Sequence, residues 1–225
     1  DPGFLSGVFG VGGSSVATPL LRLLSVPRLV ALATPLPVTL PTALAGGFAY
    51  WRRGVVNFRA ALWTAAGGVP AVIAGSYLTP MVPGRLLMLF TGLFVMAVGV
   101  RVLRTRRSDD SQAPAAAASA WHFALVGVGV GFLSGLLANG GGFLLVPAYL
   151  IVFRMEAQEA AATSLIAVAI LAVPGTYVHW TLGHIDPLLA LLLTAGALPF
   201  TYLGAKVALR LPDARARRLF GWFLL

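Results

Sequence analysis

Cysteine is absent from the 225 residues, which excludes disulfides, thiolate metal centres and a cysteine nucleophile. Charge is scarce too. Asp, Glu, Lys and Arg make up 10% of the chain, where soluble domains carry roughly 25%. Acids number only seven, and lysine occurs once, at Lys206. What fills the space is apolar: 58% of residues, with 26 glycines besides, and a mean hydropathy of +0.88. Charge-free stretches run 2–21, 29–51, 60–84, 111–153, 160–185 and 187–205. Most reach the ~20 residues that a membrane-spanning helix needs. A soluble globule is excluded, and an all-α, multi-pass integral membrane protein is the class that fits. The net charge of +9 does not point to nucleic acid, because the arginines sit between apolar segments, where they set orientation against a bilayer. No basic region precedes the first apolar stretch, so no cleavable signal peptide is expected. The chain opens apolar after Asp1 and stops within the apolar run 219–225; both ends read as cuts into membrane segments.

The sequence repeats itself. Gly3-Phe4-Leu5-Ser6-Gly7 recurs letter for letter as Gly131-Phe132-Leu133-Ser134-Gly135, an offset of 128. Gly12-Gly13 matches Gly140-Gly141, and Pro19 matches Pro147, at that same offset. After a one-residue slip the offset is 129. It then pairs Ala33-Thr34 with Ala162-Thr163, Trp51 with Trp180, Gly54 with Gly183, Asn57 with Asp186, Pro70 with Pro199 and Gly75 with Gly204. Matched Pro, Trp and Gly at one spacing mark a duplication. The expected organisation is a first half at 1–104, a solvated linker at 105–120 and a second half at 121–225.

Each half opens with a Gly-rich segment, 3–24 or 121–153, followed by three spans. These are expected at about 29–51, 60–83 and 85–104, then at 157–181, 187–208 and 215 onward. Residues 121–153 are too long for one span and are broken by Asn139-Gly140-Gly141-Gly142. One long tilted helix would leave the cations evenly divided between the two faces. A re-entrant hairpin would leave Arg22, Arg28 and Arg85 on one face and the other thirteen cations opposite, the asymmetry that membrane proteins show. A hairpin plus three spans is an odd number of crossings, so the second half would be inverted relative to the first, an architecture of secondary transporters.

The two breaks are the leading site candidates: Gly12, Gly13, Ser14 and Ser15 in the first half, Asn139, Gly140, Gly141 and Gly142 in the second. Non-helical backbone at membrane depth is tolerated only inside protein or beside a watery cavity. A broken helix exposes free N–H groups and the positive end of its dipole, and glycine lets an anion approach them. Thr34, Thr163 and Ser164, at equivalent places in the following spans, are the expected side-chain ligands. Gly3-x-x-x-Gly7 and Gly131-x-x-x-Gly135 read instead as packing contacts. Asn57 and Asp186 read as helix caps. His179 and His184 lack further ligands, so no metal is expected, and no cofactor. Ser134 with His179 could suggest an intramembrane hydrolase, but the spacing before the serine is wrong; no catalytic residue is assigned.

The paired Gly-Phe-Leu-Ser-Gly segments followed by Gly-Gly and Pro, together with Ala162-Thr163-Ser164-Leu165, Trp180, Gly183, Ile185-Asp186 and Arg210-Leu211-Pro212, resemble the sulfite exporter TauE/SafE family of membrane transporters. Ser14 stands where that family commonly has a third glycine, and Pro35 where it has a serine after threonine. The resemblance implies movement of a small sulfur-containing or organic anion across a prokaryotic cell membrane. The expectation is therefore an alternating-access secondary transporter, its partners a small anion and the lipid bilayer, with a coupled proton or cation left open. An anion channel, an intramembrane enzyme and a structural membrane subunit are the alternatives.

Overall fold

The structure, a computed structural model, describes residues 2–12, 14–83, 119–138 and 140–223, together with some positions between 85 and 100. Most of the span expected at 85–104, and the linker up to residue 118, lie outside the described residues. Helices follow in the order α1 (Pro2–Phe9), α2 (Ser14–Leu23), α3 (Arg28–Ala33), α4 (Pro35–Trp51) and α5 (Phe58–Leu78), then α6 (Ala120–Leu136), α7 (Gly142–Ile151), α8 (Ala157–Thr181), α9 (Pro187–Ala208) and α10 (Asp213–Phe223). No strand occurs among the described residues.

Four segments are long and apolar enough to cross a bilayer: Arg28–Trp51, which joins α3 to α4, Phe58–Met81, Ala157–Thr181 and Pro187–Ala208. Their starts match the helix signals in the sequence. The Asn57 carboxamide oxygen caps α5 by accepting from the Ala60 N–H at 3.0 Å, and the Asp186 carboxylate caps α9 by accepting from the Leu189 N–H at 3.0 Å. Each cap meets one of the donors that a helix start leaves unpaired. Within the spans, 67% of the most apolar window of α8 is enclosed, against 28% for α9. The central helices are thus α4 and α8, while α5 and α9 turn large apolar side chains such as Leu62, Trp63, Leu191 and Leu203 outward, where lipid is their natural solvent.

Helix directions follow from which residues meet. Gly46 faces Leu165 and Gly175 faces Leu36, so α4 and α8 run antiparallel. Gly127 meets Thr64, Gly131 meets Gly68 and Gly135 meets Val72, so α6 runs parallel to α5. Likewise Gly3 meets Ala197 and Gly7 meets Thr201, so α1 runs parallel to α9. These contacts come in pairs that the sequence offset relates: Gly3–Ala197 corresponds to Gly131–Gly68, Gly7–Thr201 to Gly135–Val72, and Gly204–Phe4 to Gly75–Phe132. The opening helix of each sequence half therefore packs on the second span of the other half.

The long Gly-rich segment of the second half is a hairpin. Phe153, beyond the end of α7, stacks on Phe123 near the start of α6 with ring centroids 4.2 Å apart. At the other end Gly141 lies against Ser134. With 10 residues, α7 rises only about 15 Å, half of the ~30 Å hydrocarbon layer.

Close contact between α5 and α6 leaves no room for side chains. A Cβ on Gly127 would overlap the Thr64 carbonyl, whereas one on Gly129 meets nothing within 4 Å. Gly127→Val is expected to lower stability by at least about 1–3 kcal/mol, and Gly129→Ala to stay within about 1 kcal/mol of the parent. Thermal unfolding of both variants in detergent checks this; equal midpoints would contradict the contact.

Candidate functional site

The break between α1 and α2 begins at Gly10, where the amides of Gly10 and Val11 both turn back to the Ser6 carbonyl, at 2.9 and 3.3 Å. Gly12 follows with φ +71°, a left-handed conformation that costs residues with a Cβ roughly 1–2 kcal/mol. The second break runs from Leu137 to Gly141, whose φ of +76° places it as the residue preceding α7. Gly141, the residue before α7, has no side chain with which to cap it, and the leading amides of a helix have no acceptor within it.

The two breaks meet. Gly142 lies against the backbone of Val11, and both Gly12 and Gly140 abut the methyl of Thr39. Gly12 also touches Val168, the residue equivalent to Thr39 at the 129 offset. Thr39 and Val168 sit at the middle of the spans Arg28–Trp51 and Ala157–Thr181, so the meeting point is at mid-depth. The Thr39 hydroxyl is buried and donates to the Pro35 carbonyl at 3.0 Å. The proline at 35 has a second consequence. With no N–H at Pro35, Pro37 or Pro41, the carbonyls one turn earlier lose their usual helical donor, which loosens α4 beside the breaks.

The expected site residues divide. Gly12, Gly140, Gly141 and Gly142 come together as described. Gly13 and Asn139, and the side chains of Ser14 and Ser15, lie outside the described residues. Thr34, Thr163 and Ser164 are fully buried, and each is engaged by backbone from elsewhere. The Asp186 N–H donates to Thr34 Oγ1 and the Asn57 N–H donates to Thr163 Oγ1, each at 3.1 Å. The two bonds correspond through the repeat, and each ties a span of one half to the loop before the second span of the other. Asn57 is tied further by its Nδ2, which donates to Glu159 Oε1 at 3.1 Å. Ser164 Oγ donates to the Gly10 carbonyl at 3.0 Å, fixing the first break to α8. Spacing alone marked Thr34 and Thr163 as equivalent, but not which loop each would hold. Thr39 was one of several hydroxyls in the span, and its only signal was the cluster of prolines around it.

Tyr50 and His179 also correspond at the 129 offset. Tyr50 donates its hydroxyl to the Gly7 carbonyl at 3.1 Å, and His179 Nε2 lies 3.3 Å from the Gly135 carbonyl. A carbonyl only accepts, so Nε2 carries the proton and His179 Nδ1 is left to accept. His184 Nδ1, 3.2 Å away, is then the donor. Both ring nitrogens of His179 are engaged, and neither is offered to Ser134 as a base. Among the described residues no group of three His, Cys, Asp or Glu side chains could hold a metal.

Among its described residues the chain is helical and loop alone, with two helix breaks that meet at mid-depth across an internal repeat. The sequence matches the sulfite exporter TauE/SafE family over residues 2–225. The chain belongs to that family. It is 27% identical over 229 residues to the probable membrane transporter protein YunE of Bacillus subtilis, covering 91% of this chain and 84% of that one. It is 29% identical over 230 residues to a probable membrane transporter protein of Xylella fastidiosa, covering 99% and 88% respectively. No solved structure matches significantly. As a TauE/SafE protein the chain is a multi-pass membrane transporter rather than an enzyme, and its substrate is a small molecule.

Two outcomes follow from these bonds. Thr34→Val and Thr163→Val each remove the acceptor of a part-buried backbone N–H, so each is expected to cost about 0.5–1.5 kcal/mol, by similar amounts; a loss confined to one would break the correspondence. His184 lies outside the spans, and burial lowers its pKa below the ordinary histidine value. The fold thus favours its neutral form, and its contribution to stability is complete above the unfolded pKa and lost as pH falls through the folded one. His184→Gln should flatten the decline in melting temperature as the pH falls below about 6.5; an unchanged slope would refute it.

Proposed function

We propose that this chain is a secondary transporter of a small anion, a sulfur-containing or organic acid, which binds where the two helix breaks meet. One observation carries the proposal: the start of α7 at Gly141–Gly142, where the capping position is a glycine, abuts the other break at mid-depth, around Thr39. Free amides and the positive end of a helix dipole favour a negative charge there. They do so without placing a cation in the hydrocarbon layer. Gly12, Gly13, Gly140, Gly141 and Gly142 supply close-approaching backbone in this reading, and Ser14, Ser15 and Asn139 supply side-chain donors. Thr34, Thr163 and Ser164 frame the breaks by the bonds already described, and Thr39 joins as a donor.

Two inverted repeats support an alternating-access cycle. The antiparallel run of α4 and α8, with contacts paired through the repeat, is what an inverted duplication would produce. The methyl of Thr39 fills the gap between Gly12 and Gly140, so in the proposed cycle this conformation is shut and anion entry displaces that side chain.

Flux into liposomes of sulfite, sulfate, thiosulfate and taurine, each with and without a pH gradient, tests the reading and identifies the coupling ion. Flux of at least one anion should saturate with concentration; a linear rise would mark a channel. Thr39→Val keeps the packed shape but removes the hydroxyl, and is expected to lower flux roughly ten-fold, as a lost hydrogen bond to a charged group does. Flux unchanged in that variant and in Gly141→Val, with both chains folded, would overturn the site.

A further inference from the structure

Where α4 and α9 end, side by side, the chain builds a cleft of about 400 Å³ that the breaks do not use. Its walls carry Arg52, Arg53, Lys206 and Arg210, with Tyr202 between them. No acid lines it, and among the described residues none of the four cations pairs with a carboxylate. Two of them lie instead on aromatic faces: Lys206 Nζ is 4.5 Å from the Tyr202 ring centre, and the Arg52 guanidinium is 5.9 Å from that of Phe48.

Two features show what this cleft could take. The first is where it opens. Leu44, Phe48 and Trp51 form an exposed apolar stripe along α4 that ends at Arg52, and Phe200, Leu203 and Val207 form one along α9 that ends at Lys206 and Arg210. Lipid-facing stripes from two spans thus converge on one basic pocket at the bilayer edge. A free anion in water needs no such stripes, whereas an acidic lipid, with chains along them and a phosphate above, uses both.

The second is the internal repeat, which provides a comparison within the molecule. At the 129 offset, Arg52, Arg53, Lys206 and Arg210 correspond to Thr181, Leu182, Tyr77 and Met81. The equivalent pair of helix ends at the opposite face therefore has no charge at these positions. Ending two packed spans in this fold does not require cations, and orientation alone asks only that they lie on this face, so what remains to be accounted for is that four of them share one cleft.

We infer that this cleft is a binding site for the phosphate of an anionic phospholipid in the leaflet facing the Arg52–Arg53 end. The planar forks of Arg52, Arg53 and Arg210 can each give paired N–H bonds to phosphate oxygens, and basic pockets between spans are known to hold such head groups. The site is independent of the proposed anion path.

The test is native mass spectrometry of the full chain in detergent, titrated with phosphatidylglycerol or phosphatidylcholine. Phosphatidylglycerol is expected to remain bound with at least roughly ten-fold preference over phosphatidylcholine. The Arg53→Gln/Arg210→Gln chain should lose that preference and the Arg53→Lys/Arg210→Lys chain keep most of it, while Arg215→Gln/Arg218→Gln, at exposed cations of α10, leaves it unchanged. Equal binding of the two lipids, or a preference that survives Arg53→Gln/Arg210→Gln, would overturn the inference. Displacement of phosphatidylglycerol by free inorganic phosphate would also overturn it, because the cleft would then be a vestibule for soluble anions.

Discussion

Helices in a bilayer gain nothing from hiding apolar side chains from one another, because lipid is just as apolar; they hold together where backbones approach closely. The rest of this fold depends on that constraint. Gly67, Gly75, Gly127, Gly131 and Gly135 strip the α5/α6 contact of side chains, and Gly3, Gly7 and Gly204 do the same between α1 and α9. The opening helix of each sequence half is thereby fixed to the other half, and the chain closes on itself. Only with both openers held in this way can their broken ends reach the same depth.

Once held there, the breaks face the second constraint, that backbone polar groups at membrane depth need partners inside the protein. The bonds meet it unequally. The first break gives its Gly10 carbonyl to Ser164. At the equivalent position of the other half stands Pro35, which has neither hydroxyl nor N–H to give. Gly141 has no side chain to cap the start of α7, so that helix does not itself supply acceptors for its first N–H groups. In the proposed reading such an environment is matched to an acceptor with negative charge, and this asymmetry, not the glycine content as such, is what sets the breaks apart from a packing contact.

Much of this was legible in the sequence. The expected spans start within about two residues of the observed Arg28–Trp51, Phe58–Met81, Ala157–Thr181 and Pro187–Ala208, because a bilayer imposes one length and one polarity on every crossing. Asn57 and Asp186 announced their caps, and Gly3, Gly7, Gly131 and Gly135 their packing role, since both depend on local chemistry. The pairings across the repeat were not legible. The hydroxyls of Thr34 and Thr163 look free in a sequence, and only tertiary structure brings the amides of Asp186 and Asn57 to them. The same holds for His179 and His184, whose facing nitrogens follow from the turn at Gly183 rather than from their spacing. Thr39 is the sharpest case, one threonine among several, distinguished only by two glycines remote from it in sequence.

The swapped contacts bear on how the proposed cycle could run. Rocking of one sequence half against the other would have to pull α1 from α9 and α6 from α5, and those are the contacts with no side chain to rearrange. It would also break the bonds from Asp186 to Thr34 and from Asn57 to Thr163. The boundary between α4 and α8 is of another kind: Gly46 and Gly47 meet the flexible ends of Leu165 and Ile166, and Gly175 meets that of Leu36. Side chains of that sort can change rotamer while backbones slide. If the protein opens along this boundary, the moving units are not the sequence halves but two interleaved groups, α1 and α9 with α4 on one side, α5 and α6 with α8 on the other. The breaks then lie on the dividing line, and Thr39 on one unit and Val168 on the other part as the line opens.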